Sequence, residues 1–427
     1  MSILNVNKIN PVGGGSTVTI AGIASVTSSV TAPSFVGAVT GNVTGNVTGN
    51  ADTASGLSGN PSINTTGIVT ATAFNYTGNQ NLSNRNLIIN GAMLISQRGT
   101  SSTTSGYGTV DRFQCQHSST DEAPTQAQVD VASGTTPYTL GFRKAFKITN
   151  GNQTSGAGQF DLIYARSILE AQDIANSGWN YTSASSNITF QFWVKSSIAQ
   201  NFYGYIRSYD GTGQLYPFET GSLTADTWTK VTKTIPGNSN LQFDNNVNEG
   251  MEIVVAPFWG TSFTDSGVSL NTWAAFTSGT RSPDYTSTWY TTNDATFEIT
   301  GVQMEVGPVA TPFEHLSFAD ELMRCYRYFY GPTGEGLFGV GRTTNASTMW
   351  SVQFPTQMRN GPSLSITSTT ITIAEPNQSN FNITSASIAN AHISKNTAAF
   401  YLNGTMSVSV GDNLFLTDDY LMFNAEL

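Results

Sequence analysis

The amino-acid sequence predicts an all-β protein that combines a fibrous stalk, a β-sandwich and a small terminal β domain. Three observations support this fold class. Glycine recurs with a period of four near the start of the chain, short alternations of apolar and polar residues follow from Asn86 onward, and one stretch has helical spacing. These features divide the chain into residues 1–80, 81–330 and 331–427.

Composition narrows the class of function before any motif is considered. The 427 residues suffice for two or three folded units, and Lys, Arg, Asp and Glu make up only 11% of them. A net charge of −10 argues against binding to nucleic acid or to anionic membranes. The 24 Phe, 16 Tyr and 7 Trp are too many for a disordered polymer. We therefore expect a folded protein with few charges.

The sequence shows no sign of membrane insertion, secretion or a disulfide framework. Its longest apolar run, residues 253–259, is much shorter than a membrane-spanning helix, and its first residues do not resemble a secretory signal. We therefore expect synthesis and folding in a cytoplasm. Cys115 and Cys325 are the two cysteines, and each is expected to be a reduced core residue rather than part of a disulfide or zinc site.

Residues 1–80 are predicted to form the stalk. In residues 41–48 (GNVTGNVT), an extended chain would place Gly41, Val43 and their repeats on one side, with asparagine and threonine on the other. A face of glycine and valine is too small to offset the entropy lost by ordering one strand, so we expect three chains to intertwine. A flexible Gly/Asn/Thr linker is the alternative.

Three central stretches have the periodicity of strands. In residues 188–195 (ITFQFWVK), Ile188, Phe190, Phe192 and Val194 are expected to face inward, which leaves Trp193 outward. In residues 202–209 (FYGYIRSY), the residues that share one face are Tyr203, Tyr205, Arg207 and Tyr209. Residues 297–306 (FEITGVQMEV) change phase at Gly301, as at a β-bulge. Many short strands with few helices favour a two-sheet sandwich.

One helix is predicted near the end of this region. Ser317 and Asp320 have the spacing of a helix cap, and Gly331-Pro332 is expected to end the helix. The residues at helical spacing are Leu322, Cys325, Tyr326 and Phe329. A smaller β domain follows, with strands predicted near residues 350–354, 363–373 and 398–410.

Several segments together resemble the tail-fibre proteins of tailed bacteriophages. They are residues 86–99 (NLIINGAMLISQRG), 110–113 (VDRF), 299–307 (ITGVQMEVG), 310–314 (ATPFE) and 325–329 (CYRYF). The resemblance implies a carbohydrate-binding jelly roll in the bracketed region. The GNVT repeats are similar to the fibre stems of phages that infect marine bacteria, including cyanobacteria. No binding residue can be transferred, because this family varies most at its ligand-contacting surface.

Aromatic residues are the best candidates for a binding site, because sugar rings present C–H patches that pack on aromatic faces. The candidate glycan-binding residues are Trp193, Tyr203, Tyr205, Arg207 and Tyr209, with weaker candidates in stretches predicted to be loops: Trp259, Trp273, Trp289 and Tyr290. Burial of these side chains against neighbouring protomers is the alternative interpretation. Glu298 and Glu305 could act as a glycosidase pair if held at the right separation, but solvated strand-face acids are favoured.

These features predict a homotrimeric phage tail fibre that attaches the virion to a host-surface glycan without cleaving it. The N-terminus would bind a phage tail or baseplate protein, so the protein would reside in the virion tail after synthesis in the host cytoplasm. No cofactor is predicted; a structural calcium ion would be analogous to other carbohydrate-binding jelly rolls, but no ligand motif supports one. The rival functions are an enzymatic spike that degrades host polysaccharide and a purely structural virion component.

Overall fold

A computed structural model describes residues 84–332, 337–375, 380–417 and 421–427. The predicted stalk and its GNVT repeats lie outside the described residues, so the stalk and the intertwined trimer stay predictions. Within the described ranges the chain is almost entirely β, and no helix is long and apolar enough to cross a membrane. The predicted all-β class is confirmed.

The first part of the described chain is a β-sandwich. Its strands are β1 (Ser101–Ser102), β2 (Gln114–Ser118), β3 (Thr125–Asp130), β4 (Lys144–Thr149), β5 (Leu162–Glu170), β6 (Asn187–Ser196), β7 (Asn201–Ser208), β8 (Gln214–Ser222), β9 (Thr229–Pro236), β10 (Glu249–Trp259), β11 (Ala274–Ala275) and β12 (Thr296–Val306). The first sheet has six strands in the order β1-β3-β4-β12-β6-β9, and the second has six in the order β11-β8-β7-β10-β5-β2. All these pairings are antiparallel.

The sandwich core lies between the two sheets and follows the alternation in the sequence. On β6, the predicted inward residues are buried: Ile188, Phe190, Phe192 and Val194. The ring of Phe190 lies 5.7 Å from that of Phe218 on the second sheet, measured between centroids. Because successive side chains of a strand point to opposite faces, the residues between these positions are left on the outer faces of the sandwich.

A β-bulge interrupts β12 where the sequence predicted one. The pairing of β12 with β6 shifts register between Thr300 and Gln303, and Gly301 has φ +62°. That backbone conformation favours glycine, and a Cβ at Gly301 would lie 2.7 Å from the ring of Phe142. The predicted bulge is therefore confirmed.

Four short helices accompany the strands in the described ranges: α1 (Thr136–Thr139), α2 (Ala171–Ala175), α3 (Thr288–Thr291) and α4 (Phe318–Tyr326). The predicted cap of α4 is confirmed, because the Ser317 side chain accepts a hydrogen bond from the Asp320 backbone N–H. The predicted length is wrong. The helix ends at Tyr326, and Phe329 belongs to a strand that pairs with the C-terminal end of the chain.

The rest of the chain forms a small barrel and a three-stranded sheet. The strands are β13 (Phe329–Tyr330), β14 (Phe338–Thr343), β15 (Ser347–Gln353), β16 (Ser363–Ile366), β17 (Thr370–Ala374), β18 (Phe381–Ile393), β19 (Thr397–Thr405), β20 (Asn413–Leu416) and β21 (Leu421–Asn424). The closed barrel has the order β14-β15-β19-β18-β17-β20, and the sheet has the order β13-β21-β16. The single strand predicted over residues 363–373 is wrong, because β16 and β17 belong to different sheets.

The C-terminal end of the chain returns to the sandwich. The Glu426 carboxylate forms an ion pair with Arg112 and a second one with Arg98, at 3.2 Å. These three side chains are almost fully buried. The Leu427 carbonyl oxygen lies 3.5 Å from donors on Tyr107 and Gln114, at the β2 edge of the second sheet. The division at residue 331 stays a prediction, with β13 and β21 paired across it.

Candidate functional site

The outer face of the second sheet carries a cluster of tyrosines and arginines. Alternation places Tyr164 and Arg166 of β5 and Tyr205 and Arg207 of β7 on this face, with Glu252 of β10 between the two strands. We call this surface the tyrosine–arginine face and define it by the following residues: Tyr164, Arg166, Tyr205, Arg207, Tyr209, Glu252 and Arg281.

Glu252 is the centre of the hydrogen-bonding network on this face. Its carboxylate accepts hydrogen bonds from the hydroxyls of Tyr205, at 3.0 Å, and Tyr209, at 2.8 Å. It also forms ion pairs with Arg166, at 3.3 Å, and Arg207, at 3.4 Å. The Glu252 side chain is only 2% exposed. A buried carboxylate is stable only when it is paired in this way, so Glu252 holds residues of two other strands in fixed positions.

Several buried donors on this face have no acceptor among the described residues. They are the Nε atoms of Arg166, Arg207 and Arg281 and the Nε1 atom of Trp259. The Arg281 side chain forms no ion pair or hydrogen bond within the described residues; its guanidinium carbon lies 4.8 Å from the centre of the Phe263 ring. The four atoms named above are buried, so a ligand does not reach them directly. The terminal nitrogens of Arg281 are not among the buried atoms without a partner, and they are the donors that this face leaves open to a ligand or to water.

Residues 260–285 cover part of the face. Tyr285 anchors this segment, because its hydroxyl accepts from the Tyr203 N–H and shares its one hydrogen between the carbonyl oxygens of Tyr203 and Ala256, each at 3.0 Å. Phe263 and Phe276 of the same segment pack against the aromatic cluster beneath. A cavity of about 350 Å³ borders the covered region and is lined partly by Leu215, Pro217 and Thr280.

The predicted glycan-binding residues of this sheet differ in their exposure to solvent. The predicted outward set on β7 does lie opposite the core, but Tyr205 and Trp259 are only 2% and 1% exposed. Their rings stack on each other, with centroids 5.4 Å apart. They are therefore covered by protein and are not available to stack on a sugar. Tyr203, Arg207 and Tyr209 are half-buried.

The remaining predicted residues lie elsewhere. Trp193 is half-buried on the outer face of the first sheet, so the structure does not bring it together with the β7 residues. Trp273 packs on Tyr216 and donates through Nε1 to the Pro236 carbonyl oxygen at 2.7 Å. The predicted loop positions of Trp259, Trp289 and Tyr290 are wrong, because Trp259 is the last residue of β10 and the other two belong to α3; all three are buried.

The two strand acids are also buried, which corrects the expectation that they are solvated. Glu298 pairs with Lys195 at 3.0 Å. Glu305, only 1% exposed, accepts hydrogen bonds from Gln303 at 2.9 Å and from the Thr311 hydroxyl at 2.6 Å. Cys115 and Cys325 are buried thiols, as predicted, and burial raises the pKa of Cys115 to about 12.

The tyrosine hydroxyls of the face remain donors at neutral pH. Burial, reinforced by the negative charge of Glu252, raises the pKa of Tyr209 far above its ordinary value and does the same for Tyr205. Burial also raises the pKa of Tyr164, although the charges of Arg166, Arg281 and Arg207 act in the opposite direction. The three arginines therefore lie within electrostatic range of one hydroxyl group.

Sequence reasoning missed Tyr164, Arg166, Glu252 and Arg281. The signal for Glu252 was present, because a lone carboxylate in the mostly apolar stretch 251–259 must be paired if that strand is central. Its partners come from strands and a covering segment that are distant in sequence.

For a metal site, the described residues contain no group of three or more His, Cys, Asp or Glu placed to hold an ion.

Comparisons with known proteins give only weak structural similarity. No protein-family model and no curated protein matches the sequence. Three of the similar solved structures each cover 52% of this chain. The first is the enzymatically active domain of a tailspike protein from bacteriophage CBA120, with 11% sequence identity and a TM-score of 0.28. The others are a protein from Bacteroides thetaiotaomicron described as sugar-binding (12% identity, TM-score 0.25) and the N-terminal part of an endo-1,4-β-xylanase from Clostridium thermocellum solved with xylohexaose (8% identity, TM-score 0.25).

The matched part represents 21% of the tailspike domain, 100% of the Bacteroides protein and 30% of the xylanase chain. These TM-scores are too low to carry an argument about fold or function. The reasoning about this chain therefore depends on its own residues.

Proposed function

We propose that this protein is a trimeric phage tail fibre that binds a host-surface glycan through the tyrosine–arginine face and does not cleave it. The observation that carries the proposal is the combination, on one face, of half-exposed aromatic rings with the Arg281 guanidinium, which makes no ion pair or hydrogen bond within the described residues. Sugars need both, because their rings pack on aromatic faces while their hydroxyl oxygens accept hydrogen bonds. The resemblance to phage tail fibres supports the biological setting.

Trimerisation would make weak binding effective. Three copies of the face on one fibre, and several fibres on one virion, raise the effective concentration at the cell surface without any new contact. The stalk sequence supports such an assembly through its glycine and valine period. Native mass measurement of the full chain should give three copies; a single copy would contradict the fibre.

Binding without cleavage is favoured by the state of the two candidate carboxylates. Glu298 is paired with Lys195, and Glu305 is saturated by donors from Gln303 and Thr311, so neither is held ready to protonate a glycosidic oxygen. Incubation with any bound polysaccharide should release no new reducing ends. Release of such ends would favour the rival function, an enzymatic spike.

A glycan array probed with the full chain tests the binding site. Tyr164 is suited to mutation, because its side chain is half-buried and its hydroxyl makes no hydrogen bond within the described residues. Tyr164→Ala should weaken binding, whereas Tyr401→Ala, which removes a half-buried tyrosine from the barrel, should not. Equal loss in both variants, or binding by neither wild type nor variants, would contradict the proposed site.

A further inference from the structure

The balance of charge on the tyrosine–arginine face indicates which class of glycan it would bind, and this inference rests on the proposed function. Arg166, Arg207 and Arg281 are three positive charges on this face, and Glu252 is the carboxylate that pairs with the first two, at 3.3 Å and 3.4 Å. The whole chain has 28 acidic and 18 basic residues. The local excess of positive charge is therefore opposite to the composition of the protein.

The arginines are held in place with part of their binding capacity unused. Arg207 lies between two rings, with its guanidinium carbon 3.6 Å from the centre of Phe276 and 4.4 Å from that of Tyr209. It contacts Glu252 through one terminal nitrogen, and its Nε has no acceptor. No nitrogen of the Arg281 side chain has an acceptor among the described residues, while its backbone N–H donates to the Phe263 carbonyl oxygen at 3.0 Å. Because aromatic stacking fixes both groups, little side-chain entropy remains to be lost when a ligand binds.

A neutral sugar would not require this arrangement. Hydroxyl groups accept ordinary hydrogen bonds from backbone or amide donors, whereas a partly buried guanidinium without a counter-charge is costly. A carboxylate compensates such a charge and matches the planar fork of arginine with two parallel hydrogen bonds. Repulsion from the acidic remainder of the protein is screened beyond roughly 10 Å in salt solution.

We infer that the face receives an acidic sugar residue, whose carboxylate is bound by Arg207 and Arg281 while its ring lies against Tyr164. Glu252 then acts as a positioning residue, because it orients Arg166 and Arg207 without contacting the ligand. Such sugars occur as uronic acids and as sialic-acid-like residues in surface polysaccharides. The same fork could also accept a sulfate or phosphate ester, and the test separates these groups.

The test uses the full chain on an array of polysaccharides that contains neutral, uronate-bearing, sialate-bearing, sulfated and phosphorylated members. The best ligand is then measured again after chemical reduction of its carboxyl groups to alcohols. We expect wild type to bind carboxylated members, to lose affinity about tenfold or more after reduction, and to bind more weakly as salt rises.

Arg281→Gln should reduce affinity for the carboxylated ligand about tenfold or more and remove most of the difference between the native and reduced forms. Arg281→Lys should retain part of the preference, because the charge remains while the fork is lost. The matched control is Arg342→Gln on the barrel, where an exposed arginine lies 4.4 Å from the ring centre of Tyr401. It should bind like wild type.

The outcomes distinguish the two proposals. If wild type binds glycans but prefers neutral, sulfated or phosphorylated members, or is indifferent to carboxyl reduction, the acidic-sugar inference is wrong and the proposed function stands. If Arg281→Gln and Arg342→Gln have equal effects, the face is not the site of the carboxylate. If wild type binds no glycan, the proposed function fails and this inference fails with it.

Discussion

The two outer faces of the sandwich are alike in their aromatic content and differ in how their basic groups are held. The outer face of the first sheet carries half-buried rings around a small apolar cluster, among them Trp193, Trp228 and Phe313. Its ion pair joins Lys195 to Glu298, and the strand register places two more lysines, Lys147 and Lys230, on the same face. On the tyrosine–arginine face the basic groups are arginines: Arg166 and Arg207 share the Glu252 carboxylate, and the Arg281 side chain forms no ion pair within the described residues.

This difference shows that outward aromatic residues do not by themselves mark a binding site. Alternation predicts outward rings equally on β6 and on β7, and both faces have them. The buried nitrogens without an acceptor include three arginines and Trp259 of the second face, but none from Trp193, Lys195 or Trp228 of the first, within the described residues. Unused hydrogen-bonding capacity, rather than aromatic content, therefore separates the two faces.

The largest expected effect comes from removing the carboxylate at the centre of the second face. Glu252→Gln removes the counter-charge that Arg166 and Arg207 share and weakens two tyrosine hydrogen bonds around a side chain that is 2% exposed, so we expect a loss of about 3–5 kcal/mol in the free energy of unfolding. The matched change on the first face, Glu298→Gln, removes a single ion pair to a partly exposed lysine, and should cost about 1 kcal/mol.

Chemical denaturation of both variants, followed by tryptophan fluorescence, measures this difference. Circular dichroism before denaturation confirms that each variant starts from the same β-rich fold. Equal losses in Glu252→Gln and Glu298→Gln would mean that Glu252 stabilises the second face no more than Glu298 stabilises the first. The contrast between the two faces would then be wrong.

A smaller effect is expected from removing a single hydroxyl. Tyr209 donates to Glu252 at 2.8 Å, so Tyr209→Phe should cost about 1.5–3 kcal/mol, the range for a hydrogen bond to a charged group. Tyr138 lies on the first face, and its hydroxyl makes no hydrogen bond within the described residues. Tyr138→Phe should therefore change the free energy of unfolding very little. The same denaturation experiment compares the two, and a comparable cost for Tyr138→Phe would argue against a special network on the second face.

Alkaline pH should weaken the second face progressively. The pKa of Tyr209 in the folded protein is raised far above 10, its value in an unfolded chain, by burial and by Glu252. Above pH 10 the unfolded state therefore loses this proton while the folded state keeps it, and stability falls by about 1.4 kcal/mol per pH unit for such a tyrosine. The stabilising contribution is complete below pH 10 and is lost as pH rises toward the folded pKa.

The difference between wild type and Tyr209→Phe isolates this contribution. At pH 8 wild type should be the more stable, and by pH 11 its advantage should shrink by about 1.4 kcal/mol, because the phenylalanine variant has no proton to lose there. Urea denaturation at pH 8, 10 and 11 measures the gap. A gap that stays constant across this range would show that Tyr209 titrates alike in both states.

Local sequence patterns predicted those parts of the fold that are decided locally. The inward residues of β6, the bulge at Gly301 and the Ser317 cap each depend on a few neighbouring residues, and all three are confirmed. The end of α4 was mistaken because Phe329 keeps the helical spacing but is drawn into pairing with Asn424 of the last strand. Such a pairing has no local signature.

The candidate site was predicted only in part for the same reason. Alternation correctly placed Tyr205 and Arg207 on the outer face of β7, but it could not show that residues 260–285 fold over them. Arg166 and Arg281 reach the site from β5 and from that covering segment, which are separated from β7 by tens of residues. Only the arrangement of strands in the sheet brings these charges together.

The smallest expected effect concerns Trp193, which the sequence grouped with the β7 tyrosines. Trp193→Phe keeps an aromatic ring in the apolar cluster of the first face, so it should alter glycan affinity by less than about twofold. The physical reason is that the basic residues of this face are lysines, which lack the planar fork of arginine, and that Trp193, Lys195 and Trp228 contribute no buried donor without an acceptor within the described residues. Titration of the carboxylated glycan into Trp193→Phe and Tyr164→Ala compares this ring with the one that the proposed site uses. A tenfold loss confined to Trp193→Phe would move the site to the first sheet and make exposed rings, not unpaired donors, its determining feature.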